Sequence, residues 1–326
     1  MTTRIAITGG AGFLGTLLAQ RLLAAPISVG GAAPADVTEL VLVDLVEPLE
    51  SLKSDPRVSV IVGDLDTGIA DLGDCDAIFH LAGVVSGAAE ADFDLGMRTN
   101  LDGTRKLLDH ARGQQVPPVV VFSSSLAVFG IDPYVGAIGT VDDDTLPRPQ
   151  SSYGIQKFIG EQLVADYTRK GYARGRTVRL MTVSVRPGKP NAAASSFMSG
   201  IIREPIAGEK ATCPIPPDFP IALSSPRRTV DGLVRAASVD DDAWGSRTAM
   251  NLPALTTTPA EMAKALDLVT GKATSDLIAW GEDSAVTDIV GKWPSRFVTP
   301  RASALGLEAE QSFEGIVREY IADFVD

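Results

Sequence analysis

Tyr153 and Lys157 stand four residues apart in Ser151-Ser152-Tyr153-Gly154-Ile155-Gln156-Lys157, a spacing that puts a phenol and an ammonium on one face of a helix. A tyrosine near pKa 10 is a poor base at neutral pH. A cation one turn away favours its phenolate and makes proton abstraction from an alcohol feasible. Such pairs are common on surface helices, so the meaning of this one depends on its company. Phe122-Ser123-Ser124-Ser125 closes an apolar run and places hydroxyls at the carboxyl end of a strand, where open α/β sheets take their ligands. A serine there can hold a substrate oxygen.

A second constellation lies at the start of the chain. Thr8-Gly9-Gly10-Ala11-Gly12-Phe13-Leu14-Gly15 follows an apolar strand pattern and opens a helix pattern, with Gly9, Gly12 and Gly15 three residues apart. Glycines at that spacing permit a tight turn, close approach of a pyrophosphate to the backbone, and close packing of helix on strand, with the helix N-terminus facing the anion. A dinucleotide is the expected ligand. Asp44 ends Leu40-Val41-Leu42-Val43-Asp44, where a carboxylate can accept from the adenine-ribose hydroxyls and repel a 2′-phosphate. Leu45 and Val46 supply no arginine to offset that repulsion, so NAD is favoured over NADP. Asp64 and Leu65 are candidates for the adenine edge, and Leu81, Ala82 and Gly83 offer small residues for backbone approach.

These groups need a scaffold, and the hydrophobic pattern supplies one. Strand patterns at Arg4 to Thr8, Leu40 to Asp44, Val58 to Val62, Ala77 to Leu81, Val119 to Ser123 and Val178 to Val185 alternate with helical ones. The helical stretches are Phe13 to Ala24, Phe93 to Arg112 and Ser152 to Lys170. This is the layout of an α/β fold with a doubly wound parallel sheet, a Rossmann domain. Pro26 to Val37 reads as a loop insertion. After Pro187 prolines become dense, which suits loops and short edges. We therefore expect residues 1–186, with 229–252 returning to them, to form the dinucleotide domain. Residues 187–228 and 253–326 then form a smaller C-terminal substrate lobe, Asp231 to Ala237 being the returning helix and Ser312 to Phe324 a packed terminal one.

Composition removes several other classes. Against 41 acidic residues there are 29 Lys and Arg, a net charge of −12, which argues against a nucleic-acid or anionic-membrane binder. Two cysteines and two histidines are too few for a disulfide framework or a structural zinc site. Asp142 to Asp144 and Asp240 to Asp242 read as solvated clusters, and no metal is expected. There is no apolar run long enough to cross a bilayer and no signal-peptide core, so the expected location is the cytoplasm. A serine hydrolase is disfavoured: no Gly-x-Ser-x-Gly elbow surrounds the serine run, His80 lies in a buried strand pattern, and His110 reads as an exposed helix residue.

The glycine loop, Asp44, Asp64, His80-Leu81-Ala82-Gly83, Asn100 in Arg98-Thr99-Asn100-Leu101-Asp102-Gly103-Thr104, the serine run and the Tyr153/Lys157 pair together resemble the extended short-chain dehydrogenase/reductase superfamily, over nearly the whole chain. The resemblance implies Tyr153 as general base, Lys157 on the nicotinamide ribose, and Ser125 on the reacting hydroxyl. It also implies Asn100 as a support, Ser123 in the cofactor site, and Pro187 beside the nicotinamide. Homodimers are common in the superfamily. The stretch from Ser184 to Phe197 departs from the superfamily's epimerases. It and Leu223 to Asp231 are similar to dehydrogenases that oxidise the C2 hydroxyl of a four-carbon sugar acid, D-erythronate, with NAD. Such a substrate needs a cation for its carboxylate, and Arg227 and Arg228 are the candidates. Ser86, Asn191, Ser195 and Ser196 are candidates for its hydroxyls, with Asn191 as readily serving a turn. Two alternatives stay open: a nucleotide-sugar epimerase or dehydratase that retains its NAD, and a non-catalytic NAD-binding protein.

Overall fold

The structure, a computed structural model, describes residues 3–190 and 193–325. Its twelve strands are β1 (Arg4–Thr8), β2 (Glu39–Asp44), β3 (Val58–Val62), β4 (Ala77–His80), β5 (Val119–Ser125), β6 (Arg174–Leu180), β7 (Thr182–Val183), β8 (Ala211–Cys213), β9 (Ile221–Ser224), β10 (Met250–Asn251), β11 (Leu255–Thr257) and β12 (Ile278–Trp280). Seven of them form one sheet in the order β3-β2-β1-β4-β5-β6-β10, every neighbouring pair parallel. The strands are Val/Ile/Leu runs because both faces are covered. Ile5, Ile7, Leu40, Leu42, Phe79 and Val121 pack into one layer. Their chain neighbours Ala6, Val41, Val43, Ile78, Val120 and Phe122 pack into the opposite one, as a period of two requires. Strand order reverses between β1 and β4, and the crevice outside their carboxyl ends is where such sheets bind ligands.

The sixth strand begins earlier than the apolar pattern suggests and stops at Leu180, after which β7 joins a different, three-stranded sheet with β9 and β11. Two arginines, Arg174 and Arg176, hid its start. Arg176 and Arg179 are buried, and both are paired with carboxylates: Arg174 and Arg176 with Asp241, Arg179 with Glu161. The expected helix from Phe93 to Arg112 is broken into Phe93–Gly96, a π-helical turn Met97–Asp102, and Gly103–Gly113. The returning helix spans Pro226–Ser238, started by Pro226 and capped by Ser225, whose hydroxyl accepts from the Arg228 amide.

Past residue 190 the chain is more regular than its prolines suggest. Helices Phe197–Ile206 and Pro259–Thr270, absent from the sequence-based expectation, join Phe313–Phe324 around a separate core of Met198, Ile201, Ile202, Leu266, Ile316 and Val317. The Pro259 helix carries a full capping box between Thr258 and Glu261. Among the described residues no helix is long and apolar enough to cross a membrane.

Candidate active site

A cavity of about 1060 Å³ opens at the carboxyl ends of the central strands. One wall is the glycine loop, contributing Gly9, Gly12, Phe13, Leu14 and Gly15. Gly9 has φ +75°, and a Cβ there would lie 2.8 Å from the Ala82 amide nitrogen. At Gly15 it would lie 2.0 Å from the Gly9 carbonyl. Side chains are therefore excluded at both positions. The helix Phe13–Ala24 starts at Gly12 with no side-chain cap, which leaves its first amides directed at whatever anion occupies the loop. This uncapped cradle fits a pyrophosphate.

Asp44 lines the same cavity and accepts from the amides of Ala11, at 3.0 Å, and Leu45, at 2.7 Å. It thus ties the end of β2 to the glycine loop. Asp64 and Leu65 also line it, with Asp64 capping the helix Leu65–Ala70 by accepting from the Thr67 amide at 2.9 Å. That bond holds its carboxyl below the usual range. Leu81, Ala82 and Gly83 line the floor. Asn100 stands behind them, accepting from the Val84 amide at 2.8 Å and donating to Gln156 Oε1 at 2.7 Å. The π-helical turn carries Asn100, a local unwinding often found at functional sites.

The helix Ser152–Arg169, capped by the Ser151 hydroxyl, brings Tyr153 and Lys157 into this cavity beside Ser123, Ser124 and Ser125 at the end of β5. Lys157 is buried. Its Nζ donates to the Ser123 carbonyl at 2.8 Å and lies 5.8 Å from the centre of the Tyr153 ring. Burial pushes Lys157 down to about 8, with Glu161 one turn further on pulling the other way. Burial likewise pushes the Tyr153 phenol up to about 12, against the pull of the Ser125 hydroxyl. Ser125 Oγ accepts from the Ala127 amide at 3.1 Å, leaving its proton to donate. Beneath them Glu161 takes a 2.5 Å bond from the Ser124 hydroxyl and paired bonds of 2.7 and 2.9 Å from Arg179.

Other expected site residues fall differently. Ser86 and Ser195 line the cavity, and Ser86 Oγ accepts from the Ala194 amide at 3.3 Å. Pro187 does not line it, and Asn191 lies outside the described residues. Arg227 and Arg228 require a correction. Both are exposed at the start of the helix Pro226–Ser238, neither lines the cavity, and Arg227 is paired with Asp323. The cavity's cations are instead Arg98, Lys106, Lys157, Arg186 and Arg203. Arg186 was in plain view, immediately before Pro187, but only the fold reveals which way that segment faces.

His80 is no base. Buried in β4 between the hydroxyls of Thr8, at 2.7 Å, and Thr104, at 3.0 Å, it is pushed down to about 3 by burial and stays neutral. His110 is half-buried rather than exposed, its Nε2 3.0 Å from the Gly73 carbonyl. The aspartate clusters do structural work. Asp142 closes a turn with Thr145, Asp143 accepts from the Asn251 and Arg301 amides, and Asp240 caps a short helix.

A glycine cradle at the switch point, an acid at the end of β2 and a Tyr/Lys pair facing one cavity define a dinucleotide-dependent enzyme on a Rossmann sheet. The chain belongs to the NAD dependent epimerase/dehydratase family, whose model matches residues 5–218; its cofactor is NAD, and its likeness over nearly the full length to two dehydrogenases makes it an NAD-dependent dehydrogenase. It is 48% identical to a D-erythronate dehydrogenase from Cupriavidus necator and 40% identical to one from Haemophilus influenzae, covering 98% of each chain in both cases. A crystal structure described as a nucleoside-diphosphate-sugar epimerase from Agrobacterium tumefaciens superposes with a TM-score of 0.89. Identity there is 39%, over 99% of this chain and 95% of that one.

Proposed function

We propose that the protein oxidises the C2 hydroxyl of a small sugar acid of the D-erythronate type to the 2-keto acid. The observation that carries this reading is the convergence of Tyr153, Ser125 and Lys157 on the cavity that also holds the glycine cradle, in a chain so similar to D-erythronate dehydrogenases. NAD, held by the glycine loop and Asp44, supplies the hydride acceptor. Ser125 holds the substrate oxygen through its hydroxyl and positions it against Tyr153. Tyr153 takes the alcohol proton once its phenol, set high by burial, is drawn down by neighbouring positive charge. Lys157 brings such a charge along the same helix face, anchored on the Ser123 carbonyl.

The same reading places the enzyme in the cytoplasm as a homodimer. Its proposed contact is the exposed Phe93 and Ile155, on the helices Phe93–Gly96 and Ser152–Arg169, and sedimentation equilibrium gives the subunit count.

Incubation with D-erythronate and NAD tests the activity. Sustained NADH formation is expected, together with a loss of about 1,000-fold in Tyr153→Phe at unchanged NAD binding, the scale of a lost general base. Turnover of a UDP- or dTDP-sugar without net NADH would replace this reading with an epimerase or dehydratase. Full activity in Tyr153→Phe would remove Tyr153 from the chemistry.

A further inference from the structure

We infer that Arg186 is the residue that receives the carboxylate of the acid substrate, an inference that rests on the sugar-acid reading above. Several buried side-chain nitrogens and oxygens lack a hydrogen-bond partner among the described residues, and Arg186 Nη1 is the one carried by a residue lining the cavity. No described carboxylate pairs with this guanidinium. Burial, and after it the charge of Arg203, a second cation lining the cavity, lowers the pKa of Arg186. An arginine does not escape such a position by losing its proton. A half-buried guanidinium that lines an open cavity and leaves its Nη1 without a partner is a site built for an anion.

The surroundings fix where that anion sits. The Arg186 amide donates to Ser199 Oγ at 3.0 Å, and the Arg186 carbonyl accepts from Arg203 Nη1 at 2.7 Å. Both partners lie on the helix Phe197–Ile206, so the backbone of Arg186 is clamped on each side. Arg203 is itself paired with Glu204 at 2.5 Å. Arg186, Arg203 and Glu204 together therefore leave one positive charge uncompensated, which matches one carboxylate. Arg203 and Ser199 are positioning residues in this arrangement. Ser195 lines the same wall within the segment that leads from Arg186 to the helix.

Binding of D-erythronate and of its neutral amide to the full-length protein in the presence of NADH, followed by calorimetry, tests the assignment. Wild type should bind the acid about 100-fold more tightly than the amide, the scale of a charge-assisted bidentate contact. Arg186→Gln should abolish that preference while leaving NADH affinity within twofold, and Arg186→Lys should recover part of it, since an ammonium keeps the charge without the fork. Equal wild-type affinity for acid and amide overturns the inference without any variant. So does an Arg186→Gln protein that keeps the preference, or one that loses NADH binding instead. Failure of the sugar-acid reading looks different: wild type would bind the acid in an Arg186-dependent way and not oxidise it.

Discussion

Glu161 lies beside Ser124 and Lys157, and replacing it with glutamine tests whether the buried ion pair seats Lys157 and the serine run. In the wild type Glu161 and Arg179 are almost wholly buried, at 2% and 5% side-chain exposure. They are joined by two bonds of 2.7 and 2.9 Å, and Glu161 also takes the 2.5 Å bond from Ser124. Removing one member of such a pair costs roughly 3–5 kcal/mol, because the other is left charged in a dry place. Glutamine keeps one acceptor, so about 3 kcal/mol is expected. For 326 residues the unfolding entropy is roughly 0.7 kcal/mol/K, and that cost lowers Tm by about 4 °C.

The loss should depend on pH. Lys157 has its folded pKa depressed from 10.5 to about 8, so between those values the unfolded chain binds more protons and stability rises with pH. Glu161 supports the charged form of Lys157, and its removal therefore costs most below pH 8, where that charge is present. The gap between wild type and Glu161→Gln should narrow from pH 7 to pH 9. Thermal unfolding followed by circular dichroism at both pH values measures it, with Arg179→Gln and the double variant completing the cycle. A coupling between the two sites indistinguishable from zero would refute the argument, as would a Tm change below about 1 °C in the single variant.

Two further outcomes follow from the site. Asp44→Asn deletes the charge and keeps one oxygen to accept from either the Ala11 or the Leu45 amide, so the ratio of kcat/KM for NADP to that for NAD should rise about 10-fold or more; an unchanged ratio shows that Asp44 does not reach the ribose. Arg227→Ala and Arg228→Ala should leave KM for the acid and for NAD within twofold of wild type and cost under about 1 kcal/mol, since the Arg227–Asp323 pair is exposed. A selective rise in KM for the acid would return the carboxylate site to that helix.

The central sheet was legible because a strand buried on both faces must be an unbroken apolar run, as at Leu40 to Val43. The glycine loop was legible because spacing along one short segment is the whole of its geometry. The start of β6 was not, since Arg174 and Arg176 look out of place in a buried strand until Asp241, distant in sequence, arrives to pair with them. The smaller lobe hid its helices for a related reason. Prolines at Pro205 and Pro259 suggest interruption, yet Pro259 starts a helix, where a missing amide proton costs nothing, and Pro205 lies in the last turn of another.

By itself the order of residues determined the cofactor cradle, the Asp44 carboxylate and the Tyr153/Lys157 spacing, because each depends on contacts within one strand, turn or helix. Which arginine faces the cavity was decided only by tertiary structure. Arg186 and Arg227 are equally plausible cations in the linear chain. One is clamped by a helix that the sequence did not reveal and lines the cavity with its Nη1 left unpartnered. The other is exposed at the start of the helix Pro226–Ser238 and paired with Asp323. Burial and partner geometry, which join residues far apart in the chain, made that choice.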